Sequence, residues 1–410
     1  MIKLLHFADV HIGMENYGRP DPKTGLSSRV IDFLRRMDEM VEYARENNVD
    51  IAIFAGDAFK NRNPNPTFQR EFAWRILDLA ALCPVILLVG NHDLPINVKK
   101  ASSIEIYETL KVENVYVGSR YECFEVPTKS GPLQVATAPY PIRARLLEDE
   151  DFVSQRNTIN DIDTLMQQKL ELIIRDLGHQ ADQYDMPRVL TGHFSVLGAL
   201  YGSERQIMLG RDIAVTLSNI ADPVWDYVAL GHIHTFQDLT RNRQNLPPVV
   251  YSGSLERIDF SEEGDTKGFV WVELERGNTS YQFIPLKARP FLTLRVDVRR
   301  TSTPTEIVLD AIQKHEMSDA VVRVIIQTDP EADHLLNLSA IEQALKARHV
   351  SAIASIQRKI EHPIRARLGT TPEGLSPLEL LERYFESRDV PRERITHLLT
   401  YAEALMNQTD

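Results

Sequence analysis

The sequence of 410 residues predicts an α/β fold. Short apolar runs rich in β-branched residues, such as 2–7 and 84–89, are typical of buried strands. Longer segments between them repeat apolar residues every three or four positions, which indicates amphipathic helices. Aspartate, asparagine and histidine follow directly after five of these strands. Because ligands of open α/β sheets bind at the carboxyl ends of strands, we expect a polar site there.

Composition sets limits on the class of protein. An apolar fraction of 43% and a charged fraction of 25% are typical of a globular protein, and the length allows two or three domains. The net charge of −12 argues against a general nucleic-acid coat, but not against a nuclease that binds metal ions. Cys83 and Cys123 form no disulfide framework or zinc motif, so we expect a reducing, cytoplasmic location without a membrane span.

The elements can be assigned in chain order from hydrophobic periodicity. Strands are predicted at residues 2–7, 50–55, 84–89, 114–117, 121–126, 133–138, 188–191 and 226–230. Helices are predicted at residues 30–44, 68–79, 102–111 and 158–178, and acidic residues cluster at 148–151. The alternation places the polar residues on loops at strand ends rather than inside helices.

The candidate site residues all lie at these strand ends. Five of the twelve histidines fall there, together with aspartate and asparagine side chains. The set consists of Asp9, His11, Asp57, Asn91, His92, Asp93, His193, His232 and His234. Each short motif alone is more often an ordinary turn. Together, these oxygen and nitrogen donors exceed what one metal ion needs and fit a carboxylate-bridged pair of ions, with manganese, iron or zinc favoured over calcium.

The order of these motifs resembles the signature of the calcineurin-like metallophosphoesterase family, over residues 1 to about 285. The matching series is Asp9-x-His11, Gly56-Asp57, Gly90-Asn91-His92-Asp93, Gly192-His193 and Gly231-His232-x-His234. The resemblance implies a sandwich of two β-sheets flanked by helices. The segments Tyr251–Arg257 and Gly268–Val270 are similar to those of bacterial nuclease subunits within the family. Lys60 stands where some members carry a histidine.

The resemblance also implies roles for the site residues. One ion would be held by Asp9, His11 and His234, the other by Asn91, His193 and His232, with Asp57 bridging the two. The expected ions are two divalent cations, most often Mn²⁺. His92 would contact the phosphate and protonate the leaving oxygen, and Asp93 would orient it.

The implied activity is hydrolysis of DNA phosphodiester bonds in double-strand break processing and repair. The enzyme would act as an exonuclease on duplex ends and as an endonuclease on single strands or hairpins. Two alternatives stay open: a phosphatase or phosphodiesterase for small molecules or phosphoproteins, and a non-enzymatic scaffold. The intact ligand set argues against the scaffold, and the regions beyond residue 285 argue against a minimal small-molecule enzyme.

Residues 286–362 predict a small α+β domain with the order β-α-β-α-β, which the resemblance makes a DNA-capping domain. Capping boxes are expected at 303–306, 339–342 and 376–379. Basic residues that could contact phosphates are Arg295, Arg299, Arg300, Arg358, Lys359, Arg365 and Arg367, although a solvated charged face explains any one of them equally well.

The last part of the chain predicts a linker at 363–375 and two amphipathic helices within 376–410. The resemblance implies that these helices dock on the coiled coil of a partner ATPase; they could also pack back on the protein. It further implies a homodimer. Its two-fold interface would use the helix with Phe68 and Phe72 and the helix with Ile104, Ile106 and Leu110.

Overall fold

The computed structural model describes residues 1–95, 97, 100–147, 159–202, 213–361, 376–388 and 390–406. The acidic cluster at 148–151 and the linker at 363–375 lie outside the described residues. The chain divides into two compact units. The first contains Met1–Leu294, Glu316–Arg323 and Leu345–Ser355; the second contains Arg295–His315, Val324–Ala344 and Ile356–Asp410. A domain boundary between residues 285 and 286 stays a prediction.

The first unit is built on two six-stranded sheets. Its strands are β1 (Ile2–Phe7), β2 (Ile51–Phe54), β3 (Val85–Leu88), β4 (Val115–Gly118), β5 (Glu122–Thr128), β6 (Gly131–Ala138), β7 (Arg188–His193), β8 (Ser195–Val196), β9 (Ala214–Val215), β10 (Tyr227–Gly231), β11 (Gln237–Asp238), β12 (Val249–Tyr251), β13 (Gly268–Leu274) and β14 (Ser280–Pro285). All eight strands predicted for this region are present. The sequence-based assignment missed β8, β9 and β11–β14, of which β8, β9 and β11 have only two residues each.

Each sheet has a parallel centre. The first has the order β14-β13-β1-β2-β3-β4, in which β1 to β4 run parallel and β13 pairs antiparallel with β1. The second has the order β11-β12-β10-β7-β6-β5, in which β12, β10, β7 and β6 run parallel. The carboxyl ends of neighbouring parallel strands therefore lie along one edge of each sheet.

Helices of the described region follow the predicted pattern, with different lengths. They are α1 (Ser28–Glu46), α2 (Pro66–Ala80), α3 (Ile106–Thr109), α4 (Arg143–Leu146), α5 (Ile159–Ala181) and α6 (Leu217–Ile220), with a 3₁₀ turn at Phe260–Glu262. The helix predicted at 102–111 is wrong in extent. Only Ile106–Thr109 is helical, because residues 103–105 form turns and Leu110 already caps the helix.

The two sheets pack face to face, which confirms the predicted sandwich. Leu4, Ile53 and Ile86 of the first sheet share a core with Val189 and Val250 of the second, all fully buried. Apolar faces of α1 and α2 cover the outside of the first sheet, and α5 covers the second. Such a core needs helices on both outer faces because its central strands are apolar on both sides.

One buried polar contact crosses between the sheets. The Tyr227 hydroxyl donates to His6 Nδ1 at 3.0 Å, and His6 Nε2–H donates to the Leu230 carbonyl at 3.2 Å. Burial lowers the pKa of His6 to about 3, although the bond to Leu230 opposes this, so the ring is neutral. A fully paired neutral imidazole can fix the relative position of β1 and β10 without a buried charge.

A three-stranded sheet follows, with the order β15-β16-β17. Its elements are β15 (Phe291–Asp297), α7 (Pro304–Lys314), β16 (Val321–Thr328), α8 (Pro330–His334), α9 (Leu338–Ala347) and β17 (Ala352–Ile360). The predicted strands and the two longer helices are present, and the short α8 was missed. The capping boxes expected at 303–306 and 339–342 are wrong. The Thr303 side chain accepts no capping bond, and Asn337, not Ser339, accepts from the Ala340 N–H at 3.0 Å.

The chain ends in two contacting helices, α10 (Pro377–Glu386) and α11 (Arg392–Met406). The capping box predicted at 376–379 is confirmed. Ser376 and Glu379 each accept from the backbone N–H of the other. Within the described ranges, no helix is both long enough and apolar enough to cross a membrane.

Candidate metal centre

The predicted site residues come from loops at the meeting edges of the two sheets. Asp9 and His11 follow β1, Asp57 follows β2, and Asn91 and His92 follow β3. The second sheet supplies the remaining histidines, His193, His232 and His234. The contacts given below connect all of these side chains into one cluster, as the sequence predicted.

The backbone at several of these positions is left-handed. The φ angle is +52° at Asp9, +47° at His11, +64° at Asp57 and +98° at His232. Non-glycine residues seldom adopt such angles, and when they do they are concentrated at functional sites. The bends turn side chains away from their strand directions and into a common space.

Glycines before the polar residues allow the loops to approach one another closely. A Cβ at Gly90 would lie 2.2 Å from Asp57 Oδ1, and a Cβ at Gly56 would lie 2.3 Å from His193 Nδ1. No side chain fits at these distances. The Gly-polar pairs noted in the sequence are therefore required by close packing between adjacent loops, in addition to the turn itself.

The first group of side chains surrounds His11. Its Nε2 lies 3.1 Å from His234 Nε2, 4.0 Å from Asp9 Oδ1 and 3.7 Å from Asp57 Oδ2. All four side chains are buried. Two imidazole nitrogens and two carboxylates thus point into one small volume.

The second group surrounds Asn91. Its Oδ1 lies 3.0 Å from His193 Nε2 and 3.1 Å from His232 Nδ1. Asp57 Oδ2 lies 3.5 Å from His193 Nε2, so the Asp57 carboxylate stands between the two groups. This is the position expected of a bridging carboxylate.

The donor chemistry fits metal ions. In the described residues, three overlapping triads have ligand atoms within 4.8 Å of one another: Asp9, His11 and His234; His11, Asp57 and His92; Asp9, Asp57 and His193. The ring nitrogens of His11 and His234 lie 3.1 Å apart, close enough to bind a common cation when both turn their lone pairs toward it. Imidazole, carboxylate and amide donors in overlapping triads can hold two divalent cations.

Neighbouring histidines favour the charged form of the Asp57 carboxylate. Burial alone would raise the pKa of Asp57, but His193 and His92 outweigh it and hold that pKa well below its usual range. Burial and charge also act in opposite directions on the pKa of His193. Burial lowers its pKa, and the Asp57 charge raises it to about 9. The carboxylate is therefore ionised and ready to bind cations at neutral pH.

The ring of His92 has a partner that the sequence did not indicate. Its Nδ1–H donates to the Lys60 carbonyl oxygen at 2.7 Å, which leaves Nε2 as the remaining ring nitrogen. The His92 backbone N–H donates to Asp57 Oδ1 at 2.8 Å. Lys60 therefore contributes its main chain to the site, whatever its side chain does.

Asp93 does not orient His92, so that expectation is corrected. Its carboxylate accepts from the N–H groups of Gly90 at 3.0 Å, Asp57 at 2.9 Å and Ala58 at 3.0 Å. Burial and the Asp57 charge raise the pKa of Asp93 to about 6. The carboxylate fixes the loops after β2 and β3 because a buried acceptor needs these donors.

Sequence reasoning missed Glu262 and Lys267. His234 Nδ1–H donates to Glu262 Oε1 at 3.0 Å, and the Lys267 ammonium lies 2.8 Å from Glu262 Oε2. Glu262 is fully buried; although burial opposes ionisation, Lys267 and His234 lower its pKa. A carboxylate that accepts a hydrogen bond from the ring of a metal-binding histidine orients that ring and raises its basicity. No sequence signal pointed to Glu262, because it lies on a short turn 28 residues from His234.

The segment Tyr251–Arg257 contacts the main chain of His234. Ser254 N–H donates to the His234 carbonyl at 3.1 Å, and Lys267 Nζ donates to it at 2.9 Å. A Cβ at Gly253 would lie 2.8 Å from that carbonyl oxygen, and the φ angle there is +73°. This segment therefore holds the His234 backbone in place.

Comparisons with known proteins place the fold and site in a family. The calcineurin-like phosphoesterase family profile matches residues 2–236. The chain therefore belongs to the calcineurin-like phosphoesterase family, and its expected class, a metal-dependent phosphodiesterase, is confirmed.

Two curated relatives are each named as the SbcD component of the nuclease SbcCD. That of Bacillus subtilis is 29% identical over 286 residues, covering 67% of each chain. That of Escherichia coli K12 is 25% identical over 421 residues, covering 97% of each chain. Among solved structures, a dimetal phosphatase from Danio rerio covers 68% of this chain and 98% of its own, with 10% identity and a TM-score of 0.37.

We expect Glu262→Gln to weaken metal binding. Loss of the charge that faces His234 Nδ1–H makes the ring a poorer ligand, so affinity should fall roughly 10–100-fold for one of two ions. Isothermal titration with Mn²⁺ measures this, with thermal unfolding recorded because Lys267 loses the closer of its two carboxylate partners, Glu262 and Asp265. Glu125→Gln, an exposed change on β5, is the matched control. Wild-type affinity in a folded Glu262→Gln protein would contradict the assignment.

Proposed function

We propose that the chain is a two-metal DNA nuclease that acts in double-strand break processing and repair. The proposal depends on one observation above all: the complete set of converging ligands occurs in a chain that aligns over 97% of its length with an SbcD component of the nuclease SbcCD. On this view it cuts duplex ends as an exonuclease and single strands or hairpins as an endonuclease.

In this proposal, Asp9, His11 and His234 hold one ion, while Asn91, His193 and His232 hold the other. Asp57 lies between the two groups and bridges them. Two bound divalent cations would neutralise phosphate charge and make water a better nucleophile. The mixed oxygen and nitrogen donors suit Mn²⁺, which we propose as the native ion.

His92 acts on the substrate rather than on the metal ions. The Lys60 carbonyl accepts a hydrogen bond from His92 Nδ1–H and fixes the ring, so only Nε2 is directed to other groups. When the ring is doubly protonated, Nε2–H donates to the phosphate and then gives its proton to the leaving oxygen. The ring is only half-buried, so a substrate phosphate can reach it.

The second region is proposed to cap the DNA. Two of its candidate phosphate contacts are already paired: Arg299 contacts Asp297 at 2.6 Å, and Arg358 contacts Asp333 at 2.8 Å. Arg365 and Arg367 lie outside the described residues. Arg295, Arg300 and Lys359 are therefore the better candidates for phosphate contacts. With its two unpaired cysteines, the protein is proposed to work in the reducing cytoplasm.

The direct test is an Mn²⁺-dependent nuclease assay on linear duplex and hairpin DNA beside bis(p-nitrophenyl) phosphate. We expect cleavage of both DNA substrates, lost together with bound metal in Asp57→Ala. Hydrolysis of the small diester without DNA cleavage would favour the small-molecule alternative. Two bound ions without any hydrolysis would favour the scaffold.

His92→Ser should separate binding from chemistry. Removing the group that protonates the leaving oxygen should lower kcat by about 10²–10⁴-fold while metal and DNA binding persist. Single-turnover cleavage and titration with Mn²⁺ measure the two properties. His179→Ser, a change of the same kind on α5, is the control. A near-normal rate would remove His92 from the mechanism.

The proposed homodimer would use an exposed apolar surface on α2 and α3. Trp74 and Leu77 are 52% and 45% exposed, and Ile106 and Leu110 are 51% and 68% exposed. The ring contact between Phe72 and Tyr107, at 6.4 Å, places the two helices side by side. Phe72 and Ile104, two of the residues expected in this interface, are fully buried, so the proposed contacts use the exposed residues of the same region instead. An exposed apolar patch of this kind is typical of an interface, and a two-fold dimer is the commonest way for a chain to bury it against a second copy.

We expect Leu110→Arg to yield monomers, because a charge at the centre of an apolar interface cannot be desolvated cheaply. Light scattering at micromolar concentration measures the mass. Leu335→Arg changes a leucine that is 55% exposed outside this surface, and it should leave the dimer intact. A wild-type protein that is monomeric under these conditions would refute the proposal.

The terminal helices are proposed to dock on an SbcC-type coiled-coil ATPase. Tyr401 and Leu405 are 69% and 67% exposed. Among the described residues of α11, Ile395 is buried. Such exposed apolar residues on paired helices match recognition of a helix in a groove.

A chain ending at Gly374 should keep its nuclease activity and lose SbcC binding. Residues 376–406 contain no site residue, and their apolar side chains could each contribute roughly 1.5–3 kcal/mol when buried. Pull-down with the ATPase and the nuclease assay measure both properties. Leu405→Asp should weaken docking, with the exposed Thr400→Asp as control. Wild-type affinity after truncation would contradict the docking role.

A further inference from the structure

The row of loops that carries the metal ligands continues by one strand in each sheet. In the first sheet β4 is the parallel neighbour of β3, with Leu88 paired to Gly118, and Ser119 and Arg120 follow. In the second sheet β6 is the parallel neighbour of β7, with Ala138 paired to Gly192. The loops after β4 and β6 therefore extend the edge that forms the metal centre.

A cavity of about 670 Å³ lies at this extension. Its walls include Arg120 and Tyr121 after β4, Tyr140 after β6, and Lys169 and Leu172 of α5. That volume is in the range of pockets that hold small organic ligands, so a nucleoside fits easily. The cavity thus places room for a ligand beside the metal centre, entirely within the first unit.

Tyr140 forms a wall shared by the cavity and the metal centre. Its ring centroid lies 5.7 Å from that of His232 and 6.3 Å from that of His193. Its backbone N–H donates to the Val89 carbonyl at 3.1 Å, one residue before Gly90. A group in contact with Tyr140 is consequently within one nucleotide of the ligand cluster.

The cavity combines aromatic and cationic side chains. Tyr121 and Tyr140 offer rings, and Arg120 and Lys169 offer positive charge. The Arg120 main chain is held by Thr137, whose hydroxyl donates to its carbonyl at 2.9 Å. The acidic group in the lining, Glu105, accepts from the Ser102 N–H and so has a structural partner. Stacking rings beside cations are the usual means of binding single-stranded nucleic acid.

We propose that this cavity is a nucleobase subsite. It takes an unpaired base of a DNA strand against Tyr140, with Arg120 and Lys169 facing the adjoining phosphates, while the neighbouring phosphodiester lies at the metal ligands. The subsite rests on the proposed nuclease function and adds to it the position of the base next to the cut. The subsite favours single-stranded DNA and duplexes in which that base is unpaired, since a paired base cannot enter a cavity.

The test compares oligonucleotide cleavage with hydrolysis of bis(p-nitrophenyl) phosphate, which has no base. Full-length protein with Mn²⁺ is used, in wild-type form and as Tyr140→Ala, Tyr140→Trp and Lys169→Ala. We expect the ratio of kcat/KM for a single-stranded oligonucleotide to that for the small diester to fall roughly tenfold in Tyr140→Ala. Tyr140→Trp should restore the ratio because tryptophan also stacks, and Lys169→Ala should raise the oligonucleotide KM.

Arg175→Ala removes a cation from the same helix, outside the cavity, and should leave both substrates unaffected. An equal loss for both substrates in Tyr140→Ala would show that Tyr140 acts only through His232 and would overturn the subsite. An unchanged ratio would overturn it as well. A wild-type enzyme that hydrolyses the small diester but no DNA would instead contradict the nuclease function itself, and the subsite with it.

Discussion

The site depends on the position of one carboxylate, that of Asp57. It is buried between two groups of histidines, at 3.7 Å from His11 Nε2 and 3.5 Å from His193 Nε2. A buried carboxylate is stable there only because opposite charges and hydrogen-bond donors surround it. The His92 N–H supplies one donor at 2.8 Å, and Asp93 holds the Asp57 main chain. The other candidate ligands lie around this carboxylate.

That arrangement requires two sheets to meet at matched edges. Each sheet supplies part of the ligand set, so a small sliding of one sheet would separate the two groups. The buried contact of His6 with Tyr227 and Leu230 ties β1 to β10 just before the loops that carry ligands. Because a neutral, fully paired ring costs little to bury, it can lock this alignment without disturbing the charges of the site. Core packing and site geometry therefore constrain each other.

The acidic net charge of −12 is compatible with a nucleic-acid substrate because positive charge is concentrated locally. Metal ions would supply most of it at the reaction centre. Arg120 and Lys169 line the cavity of the first unit, and Arg299 and Arg358 contact carboxylates of their own region. Recognition on this basis would depend on the few cations near the cut rather than on a broad basic surface.

The sequence by itself determined eight of the twelve strands in the two six-stranded sheets and singled out the polar residues that follow them, because short apolar runs and the Gly-polar pairs after them are local patterns. The family resemblance implied a bridging role for Asp57, which stays a prediction. Only the tertiary structure revealed Glu262 behind His234, the Lys60 carbonyl under His92, and Asp93 as an acceptor for three main-chain groups. These contacts join residues that lie far apart in the chain. Because such residues meet only after folding, no periodicity or spacing in the sequence predicts their contact.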